Sequence, residues 1–197
     1  MKNSKIPFLL FYIFCSIFMC TSCTKQQTPI DQKVPLESNP EEIIKRGEYL
    51  VTVIGCNDCH SPKKVGPKGP EVIPELLLSG FPSDRPIVDF KDPLIKAGFA
   101  MFYPDLTATA GPWGISFAGN LTPDETGIGN WSEEQFKKAL TQGKYKGLEG
   151  ERMLLPPMPW VNYSFMKDED VRAIFKYLKS IKPVRNVVPA IIPPLND

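Results

Sequence analysis

Two thiols and an imidazole stand within five residues, at Cys56-Asn57-Asp58-Cys59-His60. Thiols three residues apart lie on one helical turn, where each can add across one vinyl group of a haem to give two thioethers. The imidazole of the next residue can then turn under the ring and take the iron as its proximal ligand. A zinc knuckle needs four soft ligands, whereas His60 is the only histidine and every other cysteine lies in the first 23 residues. A thioredoxin-like C-x-x-C belongs beside a βαβ pattern, and the flanks here are helical or Pro-rich. The motif occurs once, so the expectation is one covalent haem c, attached through Cys56 and Cys59 with His60 on the iron.

A sixth iron ligand cannot be a second histidine. Beyond the N-terminal stretch four methionines remain, Met101, Met153, Met158 and Met166, and a methionine is more often core filler than ligand. Met158 is the first choice by context. It sits in Leu154-Leu155-Pro156-Pro157-Met158-Pro159-Trp160, where the prolines fix the backbone and stop a helix. Met153 is the second choice and Met166 the third.

These groups need elements to hold them. Asn39 as N-cap, Pro40 at the first helical position and Glu41 and Glu42 at the positive end of the dipole predict a helix start. Ile43, Gly47, Leu50, Val51 and Ile54 share one helical face, and Gly55 ends it just before Cys56. Gly47 costs about 1 kcal/mol against alanine in a helix interior, which is reasonable where another helix crosses closely. Ser132 and Gln135 form a capping box for a middle helix, with Trp131 stapled onto Phe136. Phe136, Ala139 and Leu140 are its buried face and Gly143 its stop. A last helix runs from Asp168 to Ile181, with an apolar stripe of Val171, Ile174, Phe175, Leu178 and Ile181. Acidic residues cluster at its start and lysines toward its end. Pro183 terminates it, and residues 184–197 read as a Pro-rich extended tail.

Between Ser61 and Gly119 no long periodic segment appears, and nine prolines fall there. A short helical turn at Glu75–Ser79 and an extended piece at Pro86–Phe90 are the only local signals. Such a long loop in a compact domain often wraps a cofactor, and Phe81, Phe90, Phe99, Phe102, Tyr103, Trp113 and Phe117 supply apolar surface for that.

The N-terminus has the form of an export signal. Lys2 and Lys5 precede an apolar run from Phe8 to Met19, followed by Cys20-Thr21-Ser22-Cys23. Ser22 before Cys23 is the small residue a lipoprotein signal peptidase prefers, so residues 1–22 would be removed and Cys23 lipidated. The alternative is an uncleaved anchor over Ile6–Cys23, slightly short of the ~20 residues a span needs. Either reading puts the domain on the outer side of the cytoplasmic membrane. Residues 23–39 then form a tether, whose 24–38 portion spans roughly 20 Å as a flexible coil, and 40–183 form the main domain. The formal net charge of +1, with both signs interspersed, argues against nucleic acid as partner. Cleavage would remove two lysines and no acid, leaving −1 and no thiol for a disulfide.

Taken together, these residues resemble the class I c-type cytochromes, most closely the cytochrome subunits and domains that serve periplasmic dehydrogenases. The resemblance runs from about Gly47 to Pro189. It rests on Arg46-Gly47-Glu48-Tyr49-Leu50 before the haem motif, Asn120-Leu121-Thr122-Pro123-Asp124 with Gly127-Ile128-Gly129, and Trp131-Ser132-Glu133-Glu134-Gln135-Phe136. Met158-Pro159 and Asp168-Glu169-Asp170-Val171, with Ala173-Ile174 and Tyr177-Leu178, complete it. It implies an all-α cytochrome c fold, three main helices around one haem with long irregular loops. It also implies Met158 as axial ligand, a helix crossing at Gly47 and Tyr177, and a proline carbonyl accepting from the His60 ring N–H, Pro70 or else Pro67.

The expected function is electron transfer through an iron ligated by His60 and Met158, cycling between Fe(III) and Fe(II). The protein would have no catalysis or small-molecule substrate of its own. A dehydrogenase donor or an oxidase acceptor would be its redox partner, with the tail and the 61–119 segment as docking surfaces if it is a fixed subunit. The competing reading is a haem enzyme or gas sensor with an open sixth position.

Overall fold

The computed structural model describes residues 39–88 and 93–194. The expected signal peptide, Cys23 with most of the tether, Phe90 and the last three residues lie outside them. Among the described residues no helix is long and apolar enough to cross a membrane.

Helix α1, Pro40–Val53, starts as its sequence dictates: the Asn39 side chain accepts from the Glu41 N–H at 3.0 Å. The chain then turns into a short helix α2, Cys56–His60. The last helix of the chain, Asp168–Ser180, crosses α1 at Gly47. A Cβ on Gly47 would lie 2.7 Å from the Tyr177 Cβ and still deeper inside the Ala173 carbonyl. Absence of a side chain there is what lets the two backbones meet. Arg46 and Asp170 close one side of the crossing at 3.0 Å. Being part-exposed, this pair contributes at most about 1 kcal/mol. Most of the stabilisation is apolar: Leu50 and Val51 pack with Val171, Ala173, Ile174, Phe175 and Leu178 in one buried cluster.

The middle helix, Glu133–Gln142, adds Phe136 and Leu140 to that cluster, and the Phe136 and Phe175 rings lie 5.3 Å apart. Its capping box is only half formed. Ser132 accepts from the Gln135 N–H at 3.0 Å, but the Gln135 amide donates to the Lys146 carbonyl at 2.8 Å instead of reaching back. The following turn, Tyr145–Gly147, supplies that acceptor.

The described residues are not clearly all-α. With 37% helix and 14% strand, they carry two small sheets, both inside the segment expected to be irregular. Strands β1, Lys63–Gly66, and β2, Gly69–Val72, form an antiparallel hairpin. Strands β3, Met101–Phe102, β4, Ala108–Gly111, and β5, Gly114–Phe117, form an antiparallel sheet in that order. A 3₁₀ turn at Pro74–Leu76 stands near the expected helical turn, and Pro86–Val88 carries no regular structure. A four-residue helix α3, Pro93–Lys96, precedes β3. In chain order the helices from 133 onward are therefore α4, Glu133–Gln142, α5, Trp160–Tyr163, and α6, Asp168–Ser180.

The three-stranded sheet has its own core. Phe81, Tyr103 and Ala108 are buried together, with Phe117 and Val188 packed against them. The Phe81 ring meets Tyr103 edge-on at 5.4 Å. Several aromatics expected to wrap a cofactor thus form a second hydrophobic cluster, while Phe99 and Phe102 are exposed. Asp105 fixes the β3–β4 turn by accepting from Arg85 at 2.6 Å and from Thr107 at 2.8 Å. Burial pushes its carboxyl upward, and the Arg85 and Thr107 donors together outweigh that and hold it below the usual range.

The Pro-rich C-terminal segment is tied to the domain over its described length. Ile192 pairs with Ile115 of β5 through two backbone hydrogen bonds of 2.8 and 3.1 Å, and Asn186 is buried. Val184 and Asn186 find acceptors and donors on Asn120, Thr122 and Thr126. Its prolines cannot supply a ladder, so these side chains satisfy the backbone instead.

The helix crossing gives a direct test. Gly47→Ala gains about 1 kcal/mol of helix propensity, yet places a methyl where backbone already stands, and overpacking costs about 1–3 kcal/mol or more. The expected outcome is net destabilisation, measured as a lower chemical-denaturation midpoint.

Candidate functional site

Gly55 launches the site. Its φ of 76° is left-handed, which a glycine adopts without strain, and it caps α2. On α2 the Cys56 and Cys59 thiols are free and half-buried. Burial pushes the Cys56 thiol up to about 12, and burial with the neighbouring Asp58 charge pushes Cys59 up as well.

His60 ends the turn, and its Nδ1 lies 2.7 Å from the Gly119 carbonyl oxygen. A carbonyl can only accept, so Nδ1 carries the proton and Nε2 keeps a free lone pair. Burial lowers the imidazole's pKa and so favours the neutral ring, while the hydrogen bond to Gly119 partly opposes this. The expected acceptors, Pro70 and Pro67, are elsewhere. Pro70 is in β2 opposite Val65, and Pro67 is in the β1–β2 turn. Their short hairpin folds back on itself, and the return of the chain after β5 brings Gly119 to the ring instead.

That return depends on Gly80. A Cβ there would lie 2.7 Å from the Gly119 carbonyl oxygen, and its φ is 79°. The Gly80 N–H donates to the His60 carbonyl at 2.8 Å, Phe81 N–H to Ala118 at 3.0 Å, and Leu121 N–H to Leu78 at 2.9 Å. Ser61, fully buried, accepts from the Leu78 N–H at 2.9 Å and meets the Asn57 side chain at 3.1 Å. Asn186 completes the hold: its amide donates to the Ser79 and Phe81 carbonyls at 2.7 and 2.9 Å and accepts from the Ser83 N–H at 2.9 Å. The sequence reading missed Gly119, Gly80 and Asn186. Glycines at 80 and 119 were visible as breakers, but a partner 59 residues away leaves no local signal.

The methionines divide. Met158 and Met166 pack half-buried against the main cluster, as does Cys56. Met153 is 44% exposed and its backbone bridges to Lys144, and Met101 is half-buried in β3. The Met158 loop is anchored by Ser116 of β5, which donates to the Pro156 carbonyl at 2.7 Å, and by Leu154 N–H on Gly143 at 2.6 Å. Tyr163 on α5 donates to the Ile54 carbonyl at 3.3 Å, tying the segment after Met158 to the end of α1. Strand β5 and the two residues beyond it thus touch both sides, Ser116 toward Met158 and Gly119 at His60.

This donor set fits a covalently attached haem: two unpaired thiols on one turn, a neutral imidazole with its Nε2 uncommitted, and thioethers on the adjoining core. Among the described residues no group of three or more His, Cys, Asp or Glu could hold a metal ion in another way.

No family model matches the chain. It is similar to the gluconate 2-dehydrogenase cytochrome c subunit of Pantoea cypripedii, 30% identical over 146 residues, covering 73% of this chain and 24% of that protein. The fructose dehydrogenase cytochrome subunit of Gluconobacter japonicus is 30% identical over 144 residues, covering 72% and 22%. The cytochrome c subunit of alcohol dehydrogenase (quinone) from Gluconobacter oxydans is 30% identical over 160 residues, covering 79% and 26%. The chain therefore spans about a quarter of the length of the curated relatives it matches.

Asn186→Ala strips three hydrogen bonds around Gly80 and leaves buried carbonyls unpaired. The expected loss is about 2–3 kcal/mol of stability, read in thermal unfolding, with faster amide exchange at Gly80 and Phe81.

Proposed function

We propose that the chain is a one-haem c-type cytochrome that carries electrons for a dehydrogenase, with an oxidase or similar acceptor on its other side. Similarity to three cytochrome subunits of dehydrogenases supports a cytochrome c of that kind. The observation that carries the reading is the imidazole of His60, locked through Nδ1 by Gly119 beside two unpaired thiols on one turn.

In this reading Cys56 and Cys59 hold haem c by thioethers, and His60 offers Nε2 as the proximal donor. Met158 offers a thioether from the anchored loop as the distal donor. The bound haem supplies the one-electron Fe(III)/Fe(II) couple. The chain's own part is to hold both donors still, exclude water from the core side and present an edge to a partner. It moves no proton and breaks no bond, so it is not an enzyme. Residues 40–183 form the cytochrome domain, and 184–197 its extended C-terminal segment. Residues 1–22 act as an export signal, and Cys23 bears lipid at the head of the 23–39 tether, facing the periplasm.

The methionine assignment is tested by spectroscopy. A thioether favours Fe(II), so Met158→Ala should lower the reduction potential, erase the far-red methionine-to-iron band and open the iron to carbon monoxide or imidazole. Met153→Leu, of similar volume, should leave the spectrum unchanged. If the two exchange behaviour, Met153 is the ligand. If neither changes the spectrum, Met166 is next, and a high-spin wild-type protein favours the open-site reading.

The anchor is tested by mass. The wild-type protein should carry acyl chains on Cys23, and Cys23→Ala should accumulate as an unprocessed precursor. A mature wild-type mass without acyl chains contradicts the lipid anchor.

A further inference from the structure

Lys63 opens β1, three residues after His60. Its ammonium lies within hydrogen-bond reach of four backbone carbonyls, among which its three N–H donors are shared: Asn57 at 3.2 Å, Asp58 at 2.7 Å, Ser61 at 3.0 Å and Asp105 at 3.0 Å. The first two belong to the residues between the haem-motif cysteines, whose carbonyls point off the C-terminal end of α2 without helical partners. The fourth lies 42 residues away, in the turn that Arg85 and Thr107 fix through the Asp105 carboxylate. One cation therefore gathers the cysteine turn, its exit and the sheet insertion, and at Cys59 its charge offsets part of the larger opposing effect of the Asp58 carboxylate.

Four neutral oxygens leave that charge uncompensated by an anion among them. A short helix end ordinarily takes a lysine in water, at the surface, where screening reduces the effect to little. Here the ammonium is part-buried and its position is set by four acceptors, so its field on the cysteine turn is fixed.

We infer that Lys63 is a positioning residue that also sets the redox balance of the group carried by Cys56 and Cys59. This rests on reading that pair as the haem attachment. A ferric haem bears one more positive charge than a ferrous one, so a fixed cation at its attachment turn favours the ferrous state. The planar, five-donor guanidinium of arginine keeps the charge without matching the four-carbonyl cage. Glutamine keeps an N–H donor without the charge.

The experiment is potentiometry on full-length wild type, Lys63→Met, Lys63→Gln and Lys63→Arg, after a pyridine haemochrome assay has counted covalent haem in each. Met and Gln variants should show a ferrous-to-ferric ratio at fixed applied potential reduced roughly threefold to tenfold, a shift of about 28 to 59 mV for a one-electron couple. Lys63→Arg should restore most of the potential while unfolding earlier than wild type. If Lys63→Met does not retain haem, the Arg and Gln variants carry the comparison, since they differ by the charge. Loss of stability with the potential unmoved in haem-loaded variants overturns the inference and leaves Lys63 a structural cap. Wild-type protein without covalent haem overturns instead the attachment reading beneath it, and the haemochrome assay separates the two.

Discussion

The hydrogen bond from His60 Nδ1 to the Gly119 carbonyl, at 2.7 Å, is the contact on which the rest of the site depends. It decides which ring nitrogen carries the proton and therefore which one is free to act. It also demands that two distant stretches of backbone touch. The left-handed, side-chain-free Gly80 permits the approach, and the Asn186 amide binds the carbonyls on either side of it. A single donor–acceptor pair thus recruits the sheet insertion and the C-terminal segment into holding one imidazole.

Pro-rich connections create an accounting problem that this domain solves with side chains. Prolines donate nothing to a ladder, and buried carbonyls need donors. Asn120, Thr122 and Thr126 meet Val184 and Asn186, Ser61 meets Leu78, and Lys63 shares its three donors among four carbonyls. Several of these polar groups are fully buried, where a lost partner costs more than at the surface. The apolar clusters give the domain its cohesion, and this polar network gives the loops their single arrangement.

The helices were legible because their signals are local. Asn39-Pro40, the Gly47 face, Ser132 and the stripe from Val171 to Leu178 each declare a start, a side or a stop within a turn or two. A close helix crossing at Gly47 followed from one misplaced-looking glycine, and that its partner is the last helix followed from the resemblance. The sheets were less legible. Ala108–Gly111 is buried at every position and shows no alternation, and β3 is only two residues long. The β1–β2 turn, Gly66-Pro67-Lys68-Gly69, was a readable breaker, but its exposed strands lack an apolar face. Lys63 and Asn186 had no signal at all and Gly119 read only as a breaker, because their roles are fixed by partners remote in sequence. The same remoteness defeated the expectation of a proline acceptor for His60, which came from resemblance and not from this chain's own pattern.

That remoteness also orders events in time. Arg46 finds Asp170 at a separation of 124 residues, Ser79 finds Asn186 at 107, and His60 finds Gly119 at 59. Closing loops of such length costs only slightly more than closing shorter ones, but folds dominated by distant pairings form slowly. An N-terminal half emerging first can make α1, yet has no partner to seat it and no carbonyl to orient His60. The contacts that cover Cys56 and orient His60 thus come from residues late in the chain, so the cysteine turn is covered only once those residues have docked.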